Sequence, residues 1–104
     1  MSFRPDLQAL ALGVLSEGPA HGYAIARRIE AAGPGTLKAG EGLLYPALHA
    51  LEAAGYVTAR WEPQPGKPDR KVYELTDEGK RELARQRERW RIFRASVDAA
   101  LAPS

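Results

Sequence analysis

Apolar residues recur along most of this chain at the three- and four-residue spacing of amphipathic helices. The first such run predicts a helix that Pro5-Asp6 opens as an N-cap and Gly18-Pro19 ends. Its apolar positions are Leu7, Leu10, Ala11, Val14 and Leu15. We expect most of this first helix to lie in the core.

A second helix is predicted over residues 24–32, after the segment His21-Gly22-Tyr23 and before Gly33-Pro34-Gly35. Ile25 and Ile29 are four residues apart and share one helical face, whereas Arg27 and Arg28 point away from it. The pattern is that of an amphipathic helix at the protein surface.

The third helix has the clearest pattern in the chain. Leu44, Leu48 and Leu51 share one face, and Gly55 lies where a left-handed C-cap belongs, so the helix should stop at about residue 54. The opposite face carries Tyr45, His49 and Glu52. A leucine-backed helix with a polar and aromatic outer face, followed directly by a β-rich segment, is typical of the recognition helix of a winged helix-turn-helix protein.

Period-two alternation replaces the helical spacing after the third helix. Residues 57–62 alternate as a half-buried strand, and residues 71–75 return as its partner, which makes a wing. We expect Trp61 to pack on the inner face of this hairpin. Residues 63–69 contain three prolines and one glycine, so they are predicted to form a mobile loop that presents Lys67, Arg70 and Lys71.

A long final helix is predicted from the N-cap Thr76 to about Leu101, roughly 37 Å in length. Its charged residues are expected to pair with one another on a solvent face. Its apolar seam consists of Leu83, Trp90, Phe93 and Val97. Because so narrow a seam has little of its own domain to pack on, we expect a second copy of the chain to cover it.

These elements predict a mainly α fold with a small β-hairpin. A winged helix-turn-helix domain would span residues 1–75, and a C-terminal dimerisation helix would span residues 76–104. The candidate DNA-binding residues lie on the second helix, the third helix and the wing: Arg27, Arg28, Tyr45, His49, Lys67, Arg70 and Lys71.

Composition and net charge limit the classes of function that this chain could have. The chain has 104 residues, enough for one modest core, and a net charge of only +2, so nucleic-acid binding depends on where the cations lie. With no cysteine and two histidines, no metal site or other cofactor is expected, and no catalytic constellation argues for an enzyme. No signal peptide or membrane span is apparent, which favours the cytoplasm and no membrane partner.

Three blocks of residues together resemble the short members of the PadR family of bacterial transcriptional regulators. They are His21-Gly22-Tyr23 with Ile25, then Gly42, Leu44-Tyr45-Pro46, Leu48, Leu51-Glu52 and Gly55, and finally Arg70-Lys71, Tyr73, Leu75-Thr76 and Gly79. The resemblance implies a repressor that dimerises through its last helix, binds double-stranded DNA at an inverted repeat, and often releases it when a small aromatic or drug-like effector binds. It also implies a structural role for His21.

The resemblance has two departures. Leu43 stands where the family usually has Thr or Ser, and Ala50 where it often has Arg, so the usual phosphate contacts there are not carried over. Together with the near-neutral charge, this keeps open a second hypothesis, a winged-helix protein-interaction module without specific DNA binding. Tyr45 either contacts DNA or packs under the wing, His49 either contacts DNA or is merely solvated, and Trp90 with Phe93 lines an effector pocket, forms plain dimer core, or does both.

Overall fold

The computed structural model describes residues 6–102. Pro5, the start of the first predicted domain and the end of the second therefore lie outside the described residues. Four helices and three strands follow one another: α1 (Leu7–Leu15), β1 (Ala20–His21), α2 (Gly22–Ala31), α3 (Glu41–Ala53), β2 (Val57–Gln64), β3 (Lys67–Leu75) and α4 (Asp77–Leu101). The strands form an antiparallel sheet in the order β1-β3-β2. The mainly α fold with a β-hairpin is confirmed, and β1 adds a third strand that the sequence pattern did not predict.

Side chains cap three of the helices at their first turns. Asp6 Oδ1 accepts the N–H of Ala9 at 2.9 Å, and Thr76 Oγ1 accepts the N–H of Gly79 at 3.0 Å. His21 Nδ1 accepts the N–H of Ala24 at 3.2 Å, so α2 begins at Gly22, two residues earlier than predicted. The structural role that the resemblance implied for His21 is therefore confirmed.

The core lies where the three short helices meet the sheet and the start of α4. The three leucines of α3 are fully buried there, as their spacing predicted. They pack with residues from α1, α2, the sheet and α4, namely Ala11, Leu12, Leu15, Ile25, Ile29, Val57, Tyr73 and Leu83. Burying one face of α3 fixes its other face toward solvent.

The end of α3 is joined tightly to the start of α4. Gly55 has φ +81°, and the N–H of Tyr56 donates to the carbonyl of Leu51 at 3.0 Å, which closes the helix with the predicted left-handed cap. Thr76 Oγ1 donates to the Gly55 carbonyl at 2.7 Å. A Cβ at Gly79 would lie 1.9 Å from the Tyr56 carbonyl oxygen, so only glycine allows this approach.

The wing, defined as β2 and β3, is longer than the sequence predicted. The expectation of a mobile loop over residues 63–69 is wrong, because the strands continue to a tight turn at Pro65-Gly66, where Gly66 has φ +68°. The pairing is irregular between Glu62 and Gln64, and the outer part of β3 pairs with β2 alone. Prolines are tolerated at such edges and irregularities because their missing N–H removes no ladder bond.

The outer half of the wing is exposed to solvent. Residues 67–70 of its outer half are all exposed, and Trp61, which pairs with Lys71, leaves 65% of its surface exposed. The prediction that Trp61 packs on an inner face is therefore wrong. The alternation placed it on the same side as Val57 and Ala59, but the core beneath that side ends before Trp61 is reached.

Candidate nucleic-acid interface

A cleft of about 480 Å³ separates the wing from α3 and the start of α2. Aromatic rings and polar side chains line it: His21, Gly22, Tyr23, Tyr45, His49, Trp61, Arg70, Lys71 and Tyr73. Four residues that the sequence predicted for DNA binding, Tyr45, His49, Arg70 and Lys71, are thereby brought together although they come from two separate elements. The fold creates one composite surface from α3 and the wing.

Tyr45 of α3 packs against the first residue of α2. A Cβ at Gly22 would lie 2.8 Å from the Tyr45 ring, so the ring occupies the space that a larger residue would need. Tyr45 nevertheless leaves 38% of its surface exposed. Tyr45 therefore packs against α2 and still presents an exposed surface in the cleft. His49, one turn further along α3, is also exposed.

Tyr23 is a cleft residue that the sequence analysis did not select. It is 63% exposed, and the guanidinium carbon of Arg27 lies 5.9 Å from its ring centroid. The spacing of four residues between Tyr23 and Arg27 on one helix was the available signal. Arg27 and Arg28 do not line the cleft themselves, and Arg28 forms an ion pair with Glu17, just beyond the end of α1.

The cations of the wing lie on a strand and not on a loop. Arg70 Nη2 is 3.2 Å from Glu62 Oε1, its direct cross-strand partner. Lys71 Nζ is 3.2 Å from Glu52 Oε1 on α3. The prediction that both cations occupy a mobile loop is wrong, whereas Lys67 does lie beside the turn and is exposed.

The surroundings of Lys71 favour its charged form. The hydrogen bond to Glu52 is the largest influence and raises the pKa of Lys71 above its ordinary value. Its Nζ also lies 5.4 Å from the centroid of the Tyr73 ring. Tyr73 is 1% exposed, and burial raises the pKa of its hydroxyl. Lys71 is therefore an ammonium at neutral pH.

The predicted apolar seam of α4 divides into two parts. Leu83 is buried in this chain's own core, whereas Trp90 is 39% exposed and its ring lies 5.8 Å from that of Phe93. Val97 is half-buried further along the helix. Trp90 lines a second groove, about 570 Å³ in volume, that runs between α4, α1 and the connection from α2 to α3.

Within residues 6–102, no three His, Asp or Glu side chains lie close enough together to hold a metal ion. Over the same residues, no helix has the length and apolar character needed to cross a membrane.

Three short helices followed by a projecting hairpin, with the outer face of α3 opening onto that hairpin, define a winged helix-turn-helix protein. Residues 11–85 match the model of the transcriptional regulator PadR-like family. The chain is also 37% identical over 71 residues to the probable transcriptional regulator Rv1176c of Mycobacterium tuberculosis, an alignment that covers 68% of this chain and 38% of that protein. The chain belongs to the PadR-like family of transcriptional regulators, which are not enzymes.

Solved structures agree with this assignment. A PadR family transcription regulator from Clostridium difficile superposes with a TM-score of 0.78 at 28% identity, over 92% of this chain and 98% of that one. Bacillus subtilis PadR, solved in complex with operator DNA, superposes with a TM-score of 0.69 at 35% identity, over 75% of this chain and 44% of that one. The chain spans less than half the length of the curated relatives that it matches.

Proposed function

We propose that this chain is a homodimeric repressor that binds an inverted-repeat operator in double-stranded DNA. The two α3 helices would enter successive major grooves about 34 Å apart, with a wing beside each flanking minor groove. The observation that carries the proposal is the cleft, where the outer face of α3 and one face of the wing open to the same side. The operator complex of the B. subtilis relative supports DNA as the partner.

The charge distribution supports the same surface. Several α4 cations are engaged by neighbouring acids on the same helix, as predicted: Arg81 by Glu78, Arg85 by Glu82, and Arg91 by Glu88. Lys67 beside the turn of the wing and Arg27 beside Tyr23 are exposed and placed to meet phosphates, and Arg70 on the outer half of the wing would do so by leaving Glu62. Tyr45 and His49 would then face the groove from α3, and Arg28 would reach a phosphate only by leaving Glu17.

Dimerisation would use the outer half of α4. Within this helix, all of which the structure describes, the buried residues are Gly79 and Leu83 in the first two turns. Beyond them, Trp90, Phe93 and Val97 continue the apolar seam with partial exposure. A second α4 packed along that seam would bury it and set the distance between the two α3 helices.

A small aromatic or drug-like effector would bind where Trp90 faces the apolar groove between α1 and α4. Planar ligands stack on indole rings, and a groove of this size accommodates a small molecule. Because the groove adjoins both α4 and the connection that leads into α3, a bound ligand would act on the spacing of the recognition helices.

A fluorescence anisotropy titration tests DNA binding. The probe is a duplex from the promoter of the protein's own transcription unit, and the competitor is a random duplex of equal length. Lys67→Ala with Arg70→Ala removes two phosphate contacts from each protomer, or four from the bound dimer. Binding to both duplexes should weaken, and the slope of log affinity against log salt should fall by about four.

The matched control removes two exposed cations of α4 away from the proposed seam, with Lys80→Ala and Arg91→Ala, and should leave affinity and slope near those of the wild type. Unchanged binding in the wing variant would contradict the proposed surface. Wild-type binding that appears only at very low salt, without preference for the promoter, would instead favour a winged-helix protein-interaction module.

A further inference from the structure

An acidic residue lies on the face of α3 that is proposed to meet DNA. Glu52 follows Tyr45 and His49 along this face, and its side chain is 39% exposed. By charge alone, a carboxylate here repels phosphates and weakens DNA binding. Its presence therefore calls for a role that outweighs the repulsion.

Glu52 connects α3 to the wing. Its carboxylate lies 3.2 Å from the ammonium of Lys71, nineteen positions later in the chain, on the central strand β3. The Lys71 side chain is 29% exposed, whereas Arg70 and Arg60, whose ion pairs lie within the wing, are 44% and 55% exposed. The pair thus bridges two elements in a partly shielded position.

The strand at the lysine end of this bridge is firmly held. Lys71 lies over the ring of Tyr73, which is 1% exposed and is paired with Ala59 on one side and Ala20 on the other. The outer half of the wing has no such support, because β1 pairs only with Tyr73 and Val72. A small tilt at the root of the hairpin therefore becomes a large displacement at its tip, which lies several residues further out at roughly 3.3 Å per residue.

We propose that Glu52 is a positioning residue for DNA recognition, which holds the wing at a fixed angle to α3 through its ion pair with Lys71. In this arrangement Lys71 acts on the wing and contacts no phosphate. The cations at the outer half of the wing, Lys67 and Arg70, make the contacts that this angle brings into register. The inference rests on the proposed function for its effect on DNA affinity.

The test compares Glu52→Gln, Lys71→Met and the double variant on the promoter duplex over a range of salt concentrations. Each single change should weaken binding about threefold to fivefold, as expected for losing a partly exposed ion pair. The double variant should be no weaker than either single variant, because one interaction is lost in all three. The salt slope should stay at its wild-type value, because no phosphate contact is removed.

Charge reversal adds a second readout. Glu52→Lys alone and Lys71→Glu alone should both impair binding, and their combination should restore most of it because the pair is re-formed with exchanged ends. The matched control is Glu74→Gln, which removes a carboxylate paired with Arg60 inside the wing, 3.5 Å away, and leaves the contact between α3 and β3 intact. It should tighten binding slightly or leave it unchanged.

Two results would overturn the inference. One is tighter binding by Glu52→Gln with a slope steeper by about two, one for each protomer, which would mean that Glu52 only keeps Lys71 from contacting a phosphate. The other is a slope reduced by about two in Lys71→Met, which would mean that Lys71 of each protomer contacts a phosphate. If the wild type shows no preference for the promoter, the proposed function has failed, and the bridge is then judged by a double-mutant cycle in urea unfolding, where zero coupling between positions 52 and 71 rejects it.

Discussion

At the scale of single residues, the two tryptophans report on different surfaces. Trp90 lines the apolar groove beside α1, whereas Trp61 lines the cleft between the wing and α3. If an aromatic ligand binds in the groove, anilinonaphthalene sulfonate should quench Trp90 by stacking and energy transfer. In a Trp61→Phe background, titration with this probe should therefore reduce the tryptophan emission in a saturable manner.

The reciprocal variant supplies the control. With Trp90→Phe, the remaining Trp61 should show little saturable quenching at the same probe concentrations. Equal quenching in both variants would indicate non-specific adsorption and would remove the basis for an effector site at Trp90.

At the scale of elements, α4 depends on pairs of side chains along its length. The pKa of Glu78 is lowered chiefly by its hydrogen bond to Arg81, that of Glu82 by its bond to Gln86, and that of Glu88 by its bond to Arg91. A carboxyl whose folded pKa is depressed stabilises the folded state above its unfolded pKa, and this contribution is lost as pH falls through the folded pKa. We therefore expect the helical circular dichroism and the melting temperature to fall between about pH 5 and pH 3.

Glu88→Gln tests this assignment because it removes one titrating partner. The variant should be slightly less stable than the wild type at pH 7, and its melting temperature should change less on acidification. A pH dependence identical to that of the wild type would show that the Glu88 pair does not contribute.

At the scale of the whole molecule, the structure is elongated, with principal extents of 60 × 29 × 22 Å. The long dimension is consistent with the outer half of α4 extending past the small core, where a second copy would pack. Val97→Asp would place a charge in that seam, so sedimentation equilibrium should show a shift from dimer to monomer at micromolar concentration.

The matched variant Ala95→Asp places the same charge on the opposite, exposed side of α4 and should remain dimeric. A monomeric wild type, or a dimer that tolerates both changes equally, would contradict dimerisation through this seam. Because two α3 helices must be spaced on one duplex, loss of the dimer should also reduce the affinity for the promoter.

Local features of the fold were predictable, but the wing was only partly so. The N-cap Thr76, the C-cap Gly55 and the leucine face of α3 each depend on neighbours within one or two helical turns, so the sequence pattern identified them. The prolines of the wing led to the wrong prediction of a loop, because composition does not show whether the backbone nitrogen at a given position faces a partner strand. β1 was not predicted because two residues are too few to show a period-two alternation, and they form a strand only by pairing with β3.

The sequence by itself determined the order of the helices, the caps at Asp6, Gly55 and Thr76, the buried helix faces and the family to which the chain belongs, because these depend on residues that are near one another or on a fixed motif order. Only the tertiary structure placed Tyr23 and Trp61 on the same cleft as Tyr45, left Trp61 exposed, and paired Glu52 with Lys71. Those contacts join residues from separate elements, and their distances depend on how the core orients α3 against the wing.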